Sequence, residues 1–154
     1  MERNQITRED ILNNILDFLA SQISSLTNPT NIANALTSMR GEKIHSALVS
    51  NYITHTKDSF LISMVKRYDI KGKSYFEYPN KYYYVDVGLR NARLNYRQFD
   101  PGHIMENIIY IELLRRGYSV KIGKQGAAEV DFVADKGSDR LYVQVCYVLT
   151  PENT

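Results

Sequence analysis

Apolar residues recur at helical spacing near the start of the chain, where Ile11, Ile15, Phe18, Leu19 and Ile23 form one stripe. Thr7 is the expected N-cap, and Ser24-Ser25 breaks the pattern. A second helix is expected to open near Asn28 or Thr30, with Pro29 in its first turn. It carries Ile32, Ala35 and Leu36 and ends at Gly41. A third, from Glu42, sets Ile44, Leu48 and Tyr52 on one stripe. The period then shortens: Ser59 to Tyr68 reads as a strand, Lys71-Gly72-Lys73 as a turn and Ser74 to Tyr78 as the returning strand. After Pro79-Asn80, Tyr82 to Val85 reads as another strand.

From Asp86 to Phe99 the pattern is polar and Arg-rich, and the domain boundary is expected here. Asp100 suits an N-cap, Pro101 the first helical position and Gly117 the C-cap. The helix between them is apolar almost all round (Ile104, Met105, Ile108, Ile109, Ile111, Leu113, Leu114), so it is expected to be largely buried. Strands are expected over Tyr118 to Lys124, Glu129 to Ala134 and Arg140 to Leu149. The expected fold class is α+β: a winged helix-turn-helix over residues 1–95, then a small α/β unit over 96–154. The second unit is small for an independent core and stops just after its most distinctive strand, so its domain is expected to continue past Thr154.

Composition narrows the picture modestly. An apolar fraction of 44% and a charged fraction of 23% are ordinary for a soluble globular protein. No membrane-spanning run or signal peptide is evident, and the single Cys fits a reducing cytoplasm, which is the expected compartment. The net charge of +2 does not by itself announce a nucleic-acid partner, though a local basic face would. DNA contact is expected to use Lys43 and His45 of the third helix together with Lys71 and Lys73 at the turn; winged helices also serve as protein-docking modules. The run Lys81-Tyr82-Tyr83-Tyr84-Val85 has two readings, aromatic packing in a sheet or stacking on bases. Three scattered His and one Cys make no zinc set.

The candidate chemistry lies further on. Glu106 sits in an apolar helix, where a carboxylate must be near solvent, hydrogen-bonded, paired or metal-bound; the plainer reading is an N-terminal-turn Glu favoured by the helix dipole. Strand alternation puts Glu129, Asp131 and Val133 on one face, and Tyr142, Gln144 and Cys146 on one face of the next strand. If those strands pair and their polar faces coincide, Asp131 and Gln144 become neighbours. Oxygen ligands of this kind suit Mg²⁺ or Mn²⁺.

The stretches Lys81-Tyr82-Tyr83-Tyr84-Val85-Asp86-Val87-Gly88-Leu89-Arg90, Gly102-His103-Ile104-Met105-Glu106-Asn107, Leu114-Arg115-Arg116-Gly117-Tyr118, Glu129-Val130-Asp131-Phe132-Val133 and Val143-Gln144-Val145 occur in that order. The series resembles the C-terminal region of archaeal-type AAA+ ATPases, whose tail is similar to restriction-endonuclease-like folds. The resemblance implies a winged helix followed by a truncated nuclease-like domain, with Glu106, Asp131 and Gln144 as catalytic residues and Glu106 and Asp131 as Mg²⁺ ligands. It implies an ATPase module normally in the same polypeptide; ATP would belong to that module, since no Gly-rich phosphate loop occurs in this chain. The superfamily's lysine, two residues after Gln144, is replaced by Cys146, and Lys121 or Lys124 would have to supply the cation. The alternative is a catalytically silent protein-interaction or oligomerisation module that regulates the ATPase, as a homo-oligomer in the second case.

Overall fold

The computed structural model describes residues 8–148, an α+β structure with five helices and two sheets among those residues. Helices α1 (Glu9–Ser21), α2 (Pro29–Arg40) and α3 (Ser46–Asp58) surround the short strand β1 (Leu26–Thr27) in sequence and precede β2 (Ile62–Val65), β3 (Arg67–Asp69), β4 (Ser74–Tyr75) and β5 (Asn80–Tyr84). Helices α4 (Val87–Arg93) and α5 (Pro101–Arg115) then lead to β6 (Ser119–Gln125), β7 (Ala128–Lys136) and β8 (Asp139–Val143). One antiparallel sheet has the order β1-β5-β2, the other β4-β3-β6-β7-β8, in which β3 and β6 run parallel. No helix among the described residues is long and apolar enough to cross a membrane.

Local chemistry sets most helix ends. The Asn28 side chain accepts the Asn31 N–H at 2.8 Å, Pro29 occupies the first turn of α2, and Gly41 closes that helix at φ 70°. Asp100 accepts the His103 N–H to start α5. The expected Thr7 cap lies outside the described residues, as does Leu149, the expected end of the last strand.

Four expectations are corrected. The third helix begins at Ser46 rather than Glu42, because the left-handed Gly41 turns the chain and the Ile44 N–H is taken by Thr37 Oγ1 at 2.9 Å, folding Ile44 into the core ahead of the helix. Lys43 therefore lies in the α2–α3 loop and His45 at the helix N-cap. The strand expected over Ser59 to Tyr68 is two strands, parted at Lys66 and serving different sheets. The Arg-rich connection contains α4, capped by Asp86 and held by Arg90, whose buried guanidinium donates to the carbonyls of Ala20 and Gln98. Strand β8 ends at Val143, so Gln144 follows it rather than lying inside it.

The centre of the molecule is β5, all five residues of which are buried. Alternation sends Tyr82 and Tyr84 into the helical core with Ile11, Leu19, Ile32 and Tyr52. Tyr83 points the other way, stacked on Tyr110 at 4.4 Å and tilted against Phe132 at 5.8 Å. The tyrosine run is thus sheet packing. Helix α5 is not buried all round, since Ile108 is 50% exposed while Glu106 and Asn107 are buried. Asn107 explains part of that facing: its Oδ1 accepts the Tyr84 N–H at 2.9 Å and its Nδ2 donates to the Tyr84 carbonyl at 2.8 Å.

Replacing Asn107 by Ala leaves two buried backbone groups of Tyr84 without partners, at roughly 1–3 kcal/mol each. Urea unfolding should show a loss of about 2–6 kcal/mol, and Asn107→Asp, which turns a buried carboxylate toward the Tyr84 carbonyl, should not recover it.

Candidate functional site

The opposite faces of β5 and β7 each present two polar groups at alternate positions, Lys81 and Tyr83 on one strand and Glu129 and Asp131 on the other. Helix α5 adds Glu106. The Lys81 ammonium lies 2.8 Å from Glu129 Oε1, 3.1 Å from Glu106 Oε1 and 3.6 Å from Asp131 Oδ1. Tyr83 donates its hydroxyl to the same Glu106 oxygen at 2.7 Å. Asp131 is held from its far side: its Oδ2 accepts Gln144 Nε2 at 2.7 Å and the Val145 N–H at 2.8 Å. Gln144 follows Val143, the partner of Phe132 at the end of the ladder, which leaves it beside Asp131. Glu106 and Asp131 therefore meet at one ammonium, and Gln144 joins through Asp131.

The cluster is negative: three carboxylates face one ammonium. Burial works against the charge on Lys81, yet Glu106, Glu129 and Asp131 together outweigh it and its pKa is raised. Burial also raises the Glu106 pKa, and the nearby Asp131 charge adds to that, while Lys81 and Tyr83 pull it down without prevailing. Burial is the largest influence on both groups, and the excess of carboxylate over ammonium decides the direction for Lys81. Tyr83, buried and hydrogen-bonded to Glu106, stays neutral far above its ordinary range.

The donors suit a hydrated Mg²⁺, which needs only one or two carboxylates and keeps several waters. Among the described residues no three His, Cys, Asp or Glu side chains are disposed to enclose a metal ion, so a dehydrated, protein-caged ion does not fit. Glu106 and Asp131 are the side chains that would hold it, in competition with Lys81.

Other candidates lie elsewhere. Lys121 is bound to Asp135 at 2.6 Å with its ammonium over the Tyr68 ring, and Lys124 lies over Phe76. Cys146 is half-buried, with its Sγ 2.7 Å from the Val148 carbonyl. Lys71 and Lys73 are exposed in the β3–β4 turn of the larger sheet, whereas Lys43 and His45 precede α3 in the helical layer. His103 faces its own cap, 3.8 Å from Asp100.

Sequence reasoning missed Lys81, Tyr83 and Glu129 as site residues. A signal existed: Lys81 and Tyr83 sit two apart in a strongly apolar strand, as do Glu129 and Asp131, so each pair had to share a face. That the two faces would meet was not written in either strand.

Residues 2–100 match a family described as a domain of unknown function, DUF8612. The chain is 42% identical over 144 residues to an uncharacterized protein of Haemophilus influenzae, covering 94% of this chain and 36% of that protein. It is 32% identical over 148 residues to an uncharacterized protein of Methanocaldococcus jannaschii, covering 93% of this chain and 31% of that one. The chain thus spans about a third of the length of the curated relatives it matches. No solved structure matches.

Replacing Lys81 by Met strands three carboxylates, and breaking a buried pair in this way costs roughly 3–5 kcal/mol at neutral pH. Because the folded-state pKa of Lys81 is raised, its stabilisation is fully present below the ordinary lysine value and is lost as pH rises through the raised one. The stability gap between wild type and Lys81→Met, measured by urea unfolding, should be widest near neutrality and narrow in strong alkali.

Proposed function

The chain belongs to the DUF8612 family, and we propose that it is the nucleic-acid-engaging, nuclease-like part of a longer protein that also carries an AAA+ ATPase. The observation that carries this reading is the meeting of Glu106 and Asp131 in one buried, net-negative cluster, with Gln144 bonded to Asp131. A cluster with excess carboxylate invites a second cation. Mg²⁺ there would activate water and offset charge on a phosphodiester.

The chain's own residues supply the frame. Gln144 and the Val145 N–H fix the Asp131 carboxylate, and Tyr83 fixes that of Glu106, so both oxygens are set before any ligand arrives. Tyr83, Tyr110 and Phe132 pack behind them and keep water from that side. Hydrolysis would join a water oxygen to phosphorus and break the bond to the leaving sugar oxygen, which takes a proton from solvent. The relatives' greater length supports the reading of a longer protein.

For the N-terminal part, three helices beside a sheet ordered β1-β5-β2 support a winged-helix reading, while the β3–β4 turn with Lys71 and Lys73, the wing of that reading, belongs to the other sheet. A second reading, a catalytically silent protein-interaction or oligomerisation module that regulates the ATPase, draws on a specific observation. The exposed positions Ser46, Ala47, Asn51, Thr54 and Asp58 of α3 carry no base, so a groove-reading helix would have its bases only at its two ends, Lys43 and His45 at the start and the partly exposed His55 and Lys57 in the last turn.

Incubation with supercoiled plasmid and Mg²⁺ or Mn²⁺ should give nicked product that Asp131→Asn abolishes; no nicking by the wild type with either metal decides for the silent module. Each phosphate contact made by Lys43, Lys71 or Lys73 should lower the slope of log affinity against log salt by about 1 when the lysine is replaced by Ala, read by fluorescence anisotropy on a duplex.

A further inference from the structure

We propose that Lys81 is a catalytic residue of the carboxylate site, its ammonium meeting a non-bridging oxygen of the phosphodiester brought to Glu106 and Asp131. This rests on the phosphodiesterase reading above and adds the residue that reading lacks. Attack of water on a phosphodiester raises negative charge on the phosphoryl oxygens, and a site lined by carboxylates needs a cation of its own to receive it. Cys146, two residues beyond Gln144, carries no such charge. Lys121 is committed to Asp135, and Lys124 lies over the Phe76 ring.

Lys81 has the required position. Its ammonium is within 3.6 Å of carboxylate oxygens on Glu106, Glu129 and Asp131, so a phosphate held at Glu106 and Asp131 comes within its reach. The cluster opens to solvent past Glu129, whose side chain is 33% exposed against 6% for Lys81. The lysine arrives from β5 rather than from the strand pair that holds Asp131 and Gln144, so the catalytic set is completed across both sheets. Without substrate, the ammonium occupies the oxygens that a metal needs. Lys81 therefore has two partners in turn: carboxylates when the site is empty, phosphate when it is filled. Its proton stays on nitrogen throughout; the water's proton leaves to solvent and the sugar oxygen recovers one from solvent.

The test uses Lys81→Gln and Lys81→Arg in this chain, with Mn²⁺ affinity by titration calorimetry beside plasmid nicking. Removing a competing cation should tighten Mn²⁺ binding in the Gln variant several-fold while nicking falls about 10²-fold, the typical cost of one lost charge-stabilising donor; the Arg variant should nick at a rate between the two. Damage to structure alone would weaken Mn²⁺ binding, so tighter binding with lost cleavage separates the roles. If Lys81→Gln does not fold, Lys81→Arg decides. Cleavage by the Arg variant at about a tenth of the wild-type rate, with Mn²⁺ still bound, supports the proposal; undiminished cleavage, or loss of both activities, overturns it. A Gln variant that nicks like the wild type overturns the role of Lys81 and leaves the phosphodiesterase reading standing. A wild type that nicks nothing overturns both.

Discussion

The burial of β5 on both faces is the constraint from which the other features follow. A one-residue slip in a strand with one wet face turns its apolar set out to solvent; in a strand packed on both sides it would exchange the contents of two cores. Here such a slip would drive Lys81 into the helical core beside Ile32 and turn Tyr82 toward the carboxylates. The run of three tyrosines suits the position, since each ring fills a large volume and two of the hydroxyls find a partner at the far end. Tyr84 reaches the Leu16 carbonyl and Tyr83 reaches Glu106. The strand thereby sets where α1 and α5 lie and delivers the lysine to the charged cluster.

That cluster is costly to maintain. Removing carboxylates from water is unfavourable, and here one ammonium must serve three of them. Replacing a buried ionic set by packed hydrophobic residues is often neutral or stabilising, so the presence of these groups speaks for use rather than stability. The neighbouring set of Lys121, Arg140 and Asp135 is of a different kind: two cations share one carboxylate, and Arg140 and Lys121 hold the Asp135 carboxyl at about 2.

Much of this was legible in the chain. Caps at Asn28, Gly41 and Asp100 follow from turn chemistry that neighbours do not override. Asp131 and Gln144 become neighbours once the last two strands pair, although β7 shifts register against β6 between Val130 and Val133. Other features depended on contacts distant in sequence. The helical pattern of Ile44, Leu48 and Tyr52 is real as a buried stripe, but Ile44 joins it from outside the helix because Thr37 supplies its hydrogen bond. The run from Ser59 to Tyr68 has uniform β-propensity, and nothing local marks Lys66 as the point where the chain leaves one sheet for another. Helix α5 misleads most: its apolar residues are spread around the helix without one dominant stripe, and its buried side includes Glu106 and Asn107, which find partners there. Arg90, in the stretch expected to be a polar connection, is a fully buried tie between α1 and the segment before α5.

Asn107 has a consequence for association. Strand β1 covers its side of β5 only at Asn80 and Lys81, with Ser24 adding a bond to Tyr82, and beyond that the peptide of Tyr84 would present an open donor and acceptor to any extended chain. The amide of Asn107 imitates a neighbouring strand at that spot, offering one acceptor and one donor in matching positions. A side chain thus closes the ladder where backbone runs out, and a foreign peptide or a second copy is denied the foothold from which strand addition and aggregation begin.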